Sequence, residues 1–272
     1  MTQTVEFRRI VVGLPYRVPP HAVRLAAELA RLLHLDVQGL FVEEESLRGL
    51  AALPFAREFH PLGGGWRPLD VERLSRDMEI ARSSAEKVFA EAAKTLDTAC
   101  RFEVVRGSIA QTLATISGSG DIVLITEPET EAERITAQFR AAVDAAIRSL
   151  AAVLLVPARI ARHSGAIVAV ATGPGDPSIE VAKALARAAN TEVIVVGRYE
   201  TGAEGPPAQT GAAGKAAGIR QLGSALGNVR ERLIVVTRSE QNPPTMLASL
   251  RRVPVLILEP VRGDEEGRSS GN

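Results

Sequence analysis

The sequence predicts an α/β fold: a doubly wound parallel five-stranded sheet, Rossmann-like, repeated in tandem with a reduced second copy. Three observations carry this prediction. Short, nearly continuous apolar runs such as RIVVGL, DIVLIT and AVLLV read as strands covered by helices on both faces. Between them lie stretches whose apolar residues recur at three- and four-residue steps, the signature of amphipathic helices. The same order of runs then begins again after residue 160.

Each element has its own local reason. Arg9 to Leu14 is the first strand, and Pro19-Pro20 sits where a helix begins, since the first turn leaves N–H groups unpaired in any case. Ala22, Leu25, Ala26, Leu29, Leu32 and Leu33 then share one helical face, and Asp36 to Glu43 returns as the second strand. From Asp70, an N-cap residue, a long helix carries Val71, Leu74, Met78, Ala81, Ala85, Val88, Phe89, Ala92 and Leu96 inward. Arg101 to Val105 is the third strand, after which Ser108 and Gln111 form a capping-box pattern for a short helix. Asp121 to Thr126 is the fourth strand, a helix spans Ile135 to Leu150, and Ala152 to Val156 is the fifth, ended by Pro157. The order βαβαβαβαβ implies right-handed crossovers and helices on both faces.

In the second half, Ile167 to Ala171, the cap Asp176-Pro177, a helix through Val181 and Leu185, and Glu192 to Val196 parallel the opening βαβ unit. Leu233 to Thr237 mirrors Ile122 to Thr126, and Val255 to Pro260 mirrors Leu154 to Pro157. Glu192 follows Asp36 by 156 positions, whereas Thr237 follows Thr126 by only 111, so the second copy lacks the long helix and the third strand. The expected domains are residues 1–160 and 161–260, with a disordered apolar-poor tail over 261–272. Thr201 to Gly214 reads as a flexible loop, followed by a short helix through Ile219, Leu222 and Leu226.

Composition narrows the function classes. Of 272 residues, 46% are hydrophobic and 24% charged, enough for an ordinary core. Lys and Arg total 32 and are cancelled by 32 Asp and Glu, leaving no broad positive field for nucleic acid or an anionic membrane. The single Cys100 cannot form an internal disulfide and is expected as a buried, inert thiol in a reducing cytoplasm. His21, His34, His60 and His163 are scattered, so no metal site is expected.

RIVVGLP, the helix-strand passage LAAELARLLHLDVQGLFVEE, the phrase LRGLAALPFAREF and the passage VVRGSIAQTLATISGSGDIVLIT resemble the universal stress protein A family. The resemblance covers Arg8 to Ala158 well and Ala166 to Pro260 in truncated form. It implies a cytoplasmic stress-response protein, with pairing of fifth strands in a homodimer or an intramolecular pseudo-dimer. In the ATP-binding branch it would further imply an acidic residue ending the first strand and a Gly-x2-Gly-x9-Gly-Ser/Thr loop after the fourth.

The chain departs from that pattern in both halves. Pro15 and Thr172 stand at the first-strand ends, and Glu127 to Arg134 (EPETEAER) and Arg238 to Thr245 (RSEQNPPT) contain no glycine. Glu127, Glu129, Glu131 and Glu133 would each repel a triphosphate, by about 1 kcal/mol or more at short range. The expectation is therefore a non-enzymatic protein without a cofactor, acting through a partner or small ligand. The alternatives are an ATP-dependent switch or weak nucleotide hydrolase, and an electron-transfer or nucleotide-activating enzyme on a related scaffold.

Any ligand should lie outside the carboxyl ends of the strands, near Leu14, Pro15, Val42, Gly107 and Thr126. Gly173 to Ser178 could hold an anion at a helix start, although Asp176 reads better as an N-cap. The long connection from Glu44 to Leu69 carries Leu47, Leu50, Leu53, Phe55, Phe59 and Trp66. Leu47, Leu50 and Leu53 read as a short helix packed onto the domain; alternatively, the connection is a lid over the crevice at the strand ends or a docking surface.

Overall fold

The structure is a computed structural model, and it describes residues 6–14, 19–45, 49–50, 53–60, 64–197, 226–227, 229–238 and 245–260. Pro15, the Thr201–Gly214 loop, the helix expected at Ile219 and Leu222, and the 261–272 tail lie outside the described residues. Two compact units result, Phe7–Leu150 and a second built on Ala151–Asn272 with Met1–Glu6. The AVLLV strand thus falls in the second unit, ahead of the division at 160.

The first unit runs β1 (Arg9–Leu14), α1 (Pro20–Leu33), β2 (Asp36–Glu44), β3 (Arg57–His60), β4 (Gly65–Pro68) and α2 (Val71–Ala93). It continues through β5 (Cys100–Gly107), α3 (Ile109–Ile116), β6 (Asp121–Thr126), α4 (Glu131–Arg134) and α5 (Ala137–Arg148). Its parallel sheet has the order β5-β2-β1-β6, so β1 is central and Ile10, Val11 and Val12 are almost completely buried. Neighbouring residues of β2 show that helices flank both faces. A Cβ on Gly39 would lie 2.6 Å from the Phe89 ring of α2. Gln38 points the other way, to Arg9, whose guanidinium also donates to the Ile116 carbonyl at the end of α3.

The second unit comprises β7 (Ala152–Val156), β8 (Ala166–Ala171), α6 (Pro177–Ala188), β9 (Val193–Gly197), β10 (Glu231–Thr237), α7 (Thr245–Arg251) and β11 (Val255–Leu258). Its order is β7-β11-β10-β8-β9. The three pairs made by β8 and β10 are parallel, and β7 meets β11 antiparallel, with Leu154 opposite Leu256. Every residue of β7, β8 and β11 is buried. The apolar runs that sequence marks as fifth strands therefore pair with each other inside the chain.

Several local expectations are corrected. The Glu44–Leu69 connection contains a β-hairpin that the sequence reading does not mark, β3 antiparallel to β4 with Phe59 opposite Trp66; of the short helix expected at Leu47, Leu50 and Leu53, residues 49–50 are helical and Leu47 lies outside the described residues. Its strands, REFH and GWRP, are four residues long and show neither an apolar run nor a clear period-two alternation, so they carry no strand signal in the sequence. Ser108 precedes α3 but its side chain makes no cap bond; instead the Thr112 hydroxyl donates to its carbonyl. Cys100 opens β5 as expected but is exposed, and partial burial, then nearby Asp36, push its thiol above the ordinary value. Ile135 ends the short α4 and is exposed, because Thr136 caps a new helix that begins at Ala137. The caps Asp70 and Asp176, by contrast, form as read.

Candidate functional site

In a doubly wound sheet the crevice opens where two adjacent strands send their connections in opposite directions. In the first unit that place is between β1 and β6. Their ladder runs from Arg9↔Asp121 to Val12↔Leu124 and stops, whereas β1 stays paired to β2 through Leu14↔Phe41. Gly13, beside the divergence, leaves 3.4 Å between where a Cβ would be and the Leu124 carbonyl. The second unit repeats the geometry: β8 and β10 pair up to Val170↔Val236, while β8 and β9 continue to Ala171↔Gly197.

The residues expected at the first crevice sit at or near the carboxyl ends of their strands. Leu14 ends β1, Gly107 ends β5 opposite Glu44, and Thr126 ends β6. Val42 is two residues before the end of β2. Their exposure divides them: Leu14 and Val42 are core side chains, and Gly107 and Thr126 are half-buried. Gly107 has φ +146°, a backbone that side-chain-bearing residues rarely adopt.

Acidic groups dominate this end of the sheet. Glu43 is largely buried with Arg106 3.4 Å away, and Glu127 is buried directly after β6. Glu129, Glu131 and Glu133 follow on the exposed surface, where the Thr130 hydroxyl caps α4 by accepting from the Glu133 N–H. A helix start already supplied with its own acids and cap has little left to offer a phosphate.

The second crevice is occupied by the protein itself. Asp176 is buried, and its carboxylate accepts from the Thr172 N–H and hydroxyl, both at 2.8 Å, from the Ser178 N–H at 2.9 Å, and from the Thr237 hydroxyl. One side chain thus joins the end of β8, the end of β10 and the start of α6. Burial pushes its carboxyl up, but the bonds from Thr237, Thr172 and Ser178 together outweigh this and hold it below the ordinary aspartate value. Gly173 to Ser178 is a turn closed by a cap, and the anion in it is Asp176.

At the opposite end each unit buries a charge that sequence reading passes over. Asp121, which starts β6, accepts from Arg9 at 2.6 and 3.2 Å and from the Gly118 N–H at 3.0 Å. Glu231, which starts β10, is fully buried between Arg251, at 2.7 and 3.1 Å, and Arg162 at 3.2 Å. The available signal was an acid immediately before an apolar run, in DIVLIT and ERLIVVT. Two grooves also lie away from the crevices. One of about 610 Å³ borders Asn190, Thr191, Glu192 and Arg230, and one of about 510 Å³ runs between α1 and α2 past Arg24, Glu28, Arg31 and Glu91.

Among solved structures, a universal stress protein from Archaeoglobus fulgidus DSM 4304 superposes with a TM-score of 0.55, covering 96% of this chain and 98% of that one at 14% identity. The fold is that of the universal stress proteins. A protein provisionally named a universal stress protein from Pseudomonas aeruginosa UCBPP-PA14 shares this universal-stress fold with a TM-score of 0.50 at 13% identity, covering 93% of this chain and 94% of that one. A functionally unknown protein from Pseudomonas aeruginosa PAO1 does so with a TM-score of 0.51 at 12% identity, covering 93% of each chain. No protein-family model and no curated protein matches the chain. Among the described residues no helix is long and apolar enough to cross a membrane, and no three ligating side chains gather as a metal site would require.

Proposed function

We propose that this chain is a tandem universal-stress-type protein of the cytoplasm, a complete α/β domain followed by a reduced copy, that works by binding a partner or small ligand without ATP and without catalysis. The shared fold supports the type. The recurrence of strand-helix-strand as β1-α1-β2 and β8-α6-β9 supports the tandem reading, and the antiparallel β7–β11 ladder supports an intramolecular pseudo-dimer through fifth strands.

The observation that carries the nucleotide-free reading is the chemistry of the two crevices. A triphosphate needs backbone N–H groups and positive charge. Past β6 the chain offers buried Glu127 and an acidic helix start, and past β8 the N–H groups of Thr172 and Ser178 are already given to Asp176. A small ligand would instead meet Gly107, Thr126 and the rim above Leu14 and Val42.

Mass spectrometry of small molecules released on denaturing the purified protein, with ATP/Mg²⁺ titration calorimetry, tests this. The expected outcome is no released nucleotide and no heat. Copurified ATP, or a Kd below roughly 10 μM, about −7 kcal/mol, would overturn it in favour of a nucleotide-dependent switch.

A further inference from the structure

Among the described residues, strand β9 ends its sheet with one edge unpaired. In the first unit the corresponding strand, β2, is flanked by β1 and by β5, and its residues Val37 to Glu43 are all buried. β9 pairs with β8 on one side, and among the described residues nothing pairs with the other. Its sequence, VIVVG, contains no charge and no proline, the usual devices that blunt an edge, and Val195 is 43% exposed.

The backbone orientation of this edge follows from the ladder. The Ile167 N–H donates to the Glu192 carbonyl, with Ile167 in register with Val193. In a parallel pair this turns the N–H and C=O groups of residues 192, 194 and 196 toward β8. Val193, Val195 and Gly197 therefore present theirs outward.

We infer that the outer edge of β9 is a docking surface for β9 of a second copy of this chain, paired antiparallel about a twofold axis through Val195. In that register Val195 faces Val195 of the other copy and Val193 faces Gly197, so every outward N–H and C=O of the strand meets a partner. Both edges are satisfied at once, as an isologous interface requires. The chain's own sequence argues for a second copy as occupant. Between Gly197 and Leu226, residues 198–225 contain no valine, phenylalanine or tryptophan, and Ile219 is their one β-branched aliphatic. That stretch carries no run with the β propensity of VIVV, and β9 itself does.

The test uses the full chain. Analytical ultracentrifugation from roughly 1 to 100 μM should show a concentration-dependent dimer. Val195→Pro removes an outward N–H and Val195→Lys sets like charges face to face, so each should raise the dissociation constant at least tenfold while the thermal melt, taken at concentrations where wild type is monomeric, is unchanged. In a Cys100→Ser background, Val195→Cys should cross-link spontaneously, because hydrogen-bonded antiparallel partners have Cα atoms about 5.5 Å apart, within disulfide range. Val193→Cys, which faces Gly197, should cross-link at least tenfold more slowly. A monomer at every concentration would overturn the inference, as would a dimer that survives both folded Val195 variants. Equal cross-linking of the two cysteine variants would do the same, and Val195→Cys is conservative enough to fold if the proline does not.

Discussion

Strands β2 and β9 hold the same place in their βαβ units, yet the less apolar of the two is the more buried. β2 reads DVQGLFVEE and encloses Gln38 and Glu43, whereas β9 reads VIVVG and leaves Val195 at the surface. Burial is conferred by neighbours. β2 has β5 along one edge and Phe89 of α2 over Gly39, and β9 lacks a described counterpart of either. Polar residues can then be held inside β2 because partners exist for them, as when Gln38 donates to Glu103 and accepts from Arg9. Hydrophobicity proposes a strand's interior position; the surrounding elements decide it.

The largest expected effect compares the buried acids at the amino ends of the sheets. Glu231→Ala leaves the largely buried Arg251 guanidinium without its carboxylate and should cost about 3 to 5 kcal/mol. Asp121→Ala should cost less, about 2 to 3 kcal/mol, since the Arg9 side chain is 34% exposed and can recruit water, whereas Arg251 beside Glu231 is 17% exposed. Urea denaturation of both variants checks the order, and equal losses would mean that exposure of the arginine is irrelevant.

Next comes the difference between the crevices. Asp176→Ala should cost about 2 kcal/mol, because it removes a buried cap and strands the Thr237 hydroxyl, whereas Pro19, the N-cap of α1, makes no side-chain bond to lose. The Asp176 carboxyl titrates below its unfolded value, so its contribution is present above about pH 4 and fades as acid carries the pH down through the folded value. The stability gap between wild type and Asp176→Asn should therefore shrink between pH 7 and pH 3, and a gap that widens would refute the role given to the charge.

Strands β2 and β9 give two smaller tests. Gly39→Ala forces a Cβ into the Phe89 ring and should cost about 1 to 3 kcal/mol. Val195→Thr on β9 should stay within about 0.5 kcal/mol of wild type in denaturant titrations at submicromolar protein. If the two substitutions cost the same, the contrast between β2 and β9 is not one of packing.

Much of the architecture was legible because strand signals are local. DIVLIT and AVLLV are bounded by turn residues, and the structure places both strands at the residues the sequence marks. Asp70 and Asp176 were readable as caps since a cap bonds within a few residues of itself. The hairpin escaped because REFH and GWRP offer no apolar run, and its stability draws on a Phe59–Trp66 contact and a Glu58–Arg73 ion pair. At the crevices, strand ends could be placed from sequence, but not which side chains turn into the core: Leu14 and Thr126 both end strands, and one is buried while the other is partly open. The bond from Thr237 to Asp176 spans 61 residues, and no periodicity announces it.

The antiparallel β7–β11 ladder also sets a timetable for synthesis. All six strands of the Phe7–Leu150 unit have been made once Thr126 leaves the ribosome, whereas Val153 must wait for Ile257 to emerge. At about 5 to 20 residues per second, β7 spends some 5 to 20 seconds as an apolar strand without its mate. During that interval AVLLV lacks the strand it pairs with and is exposed to non-native pairing, and a message truncated before codon 255 would leave it without that mate permanently.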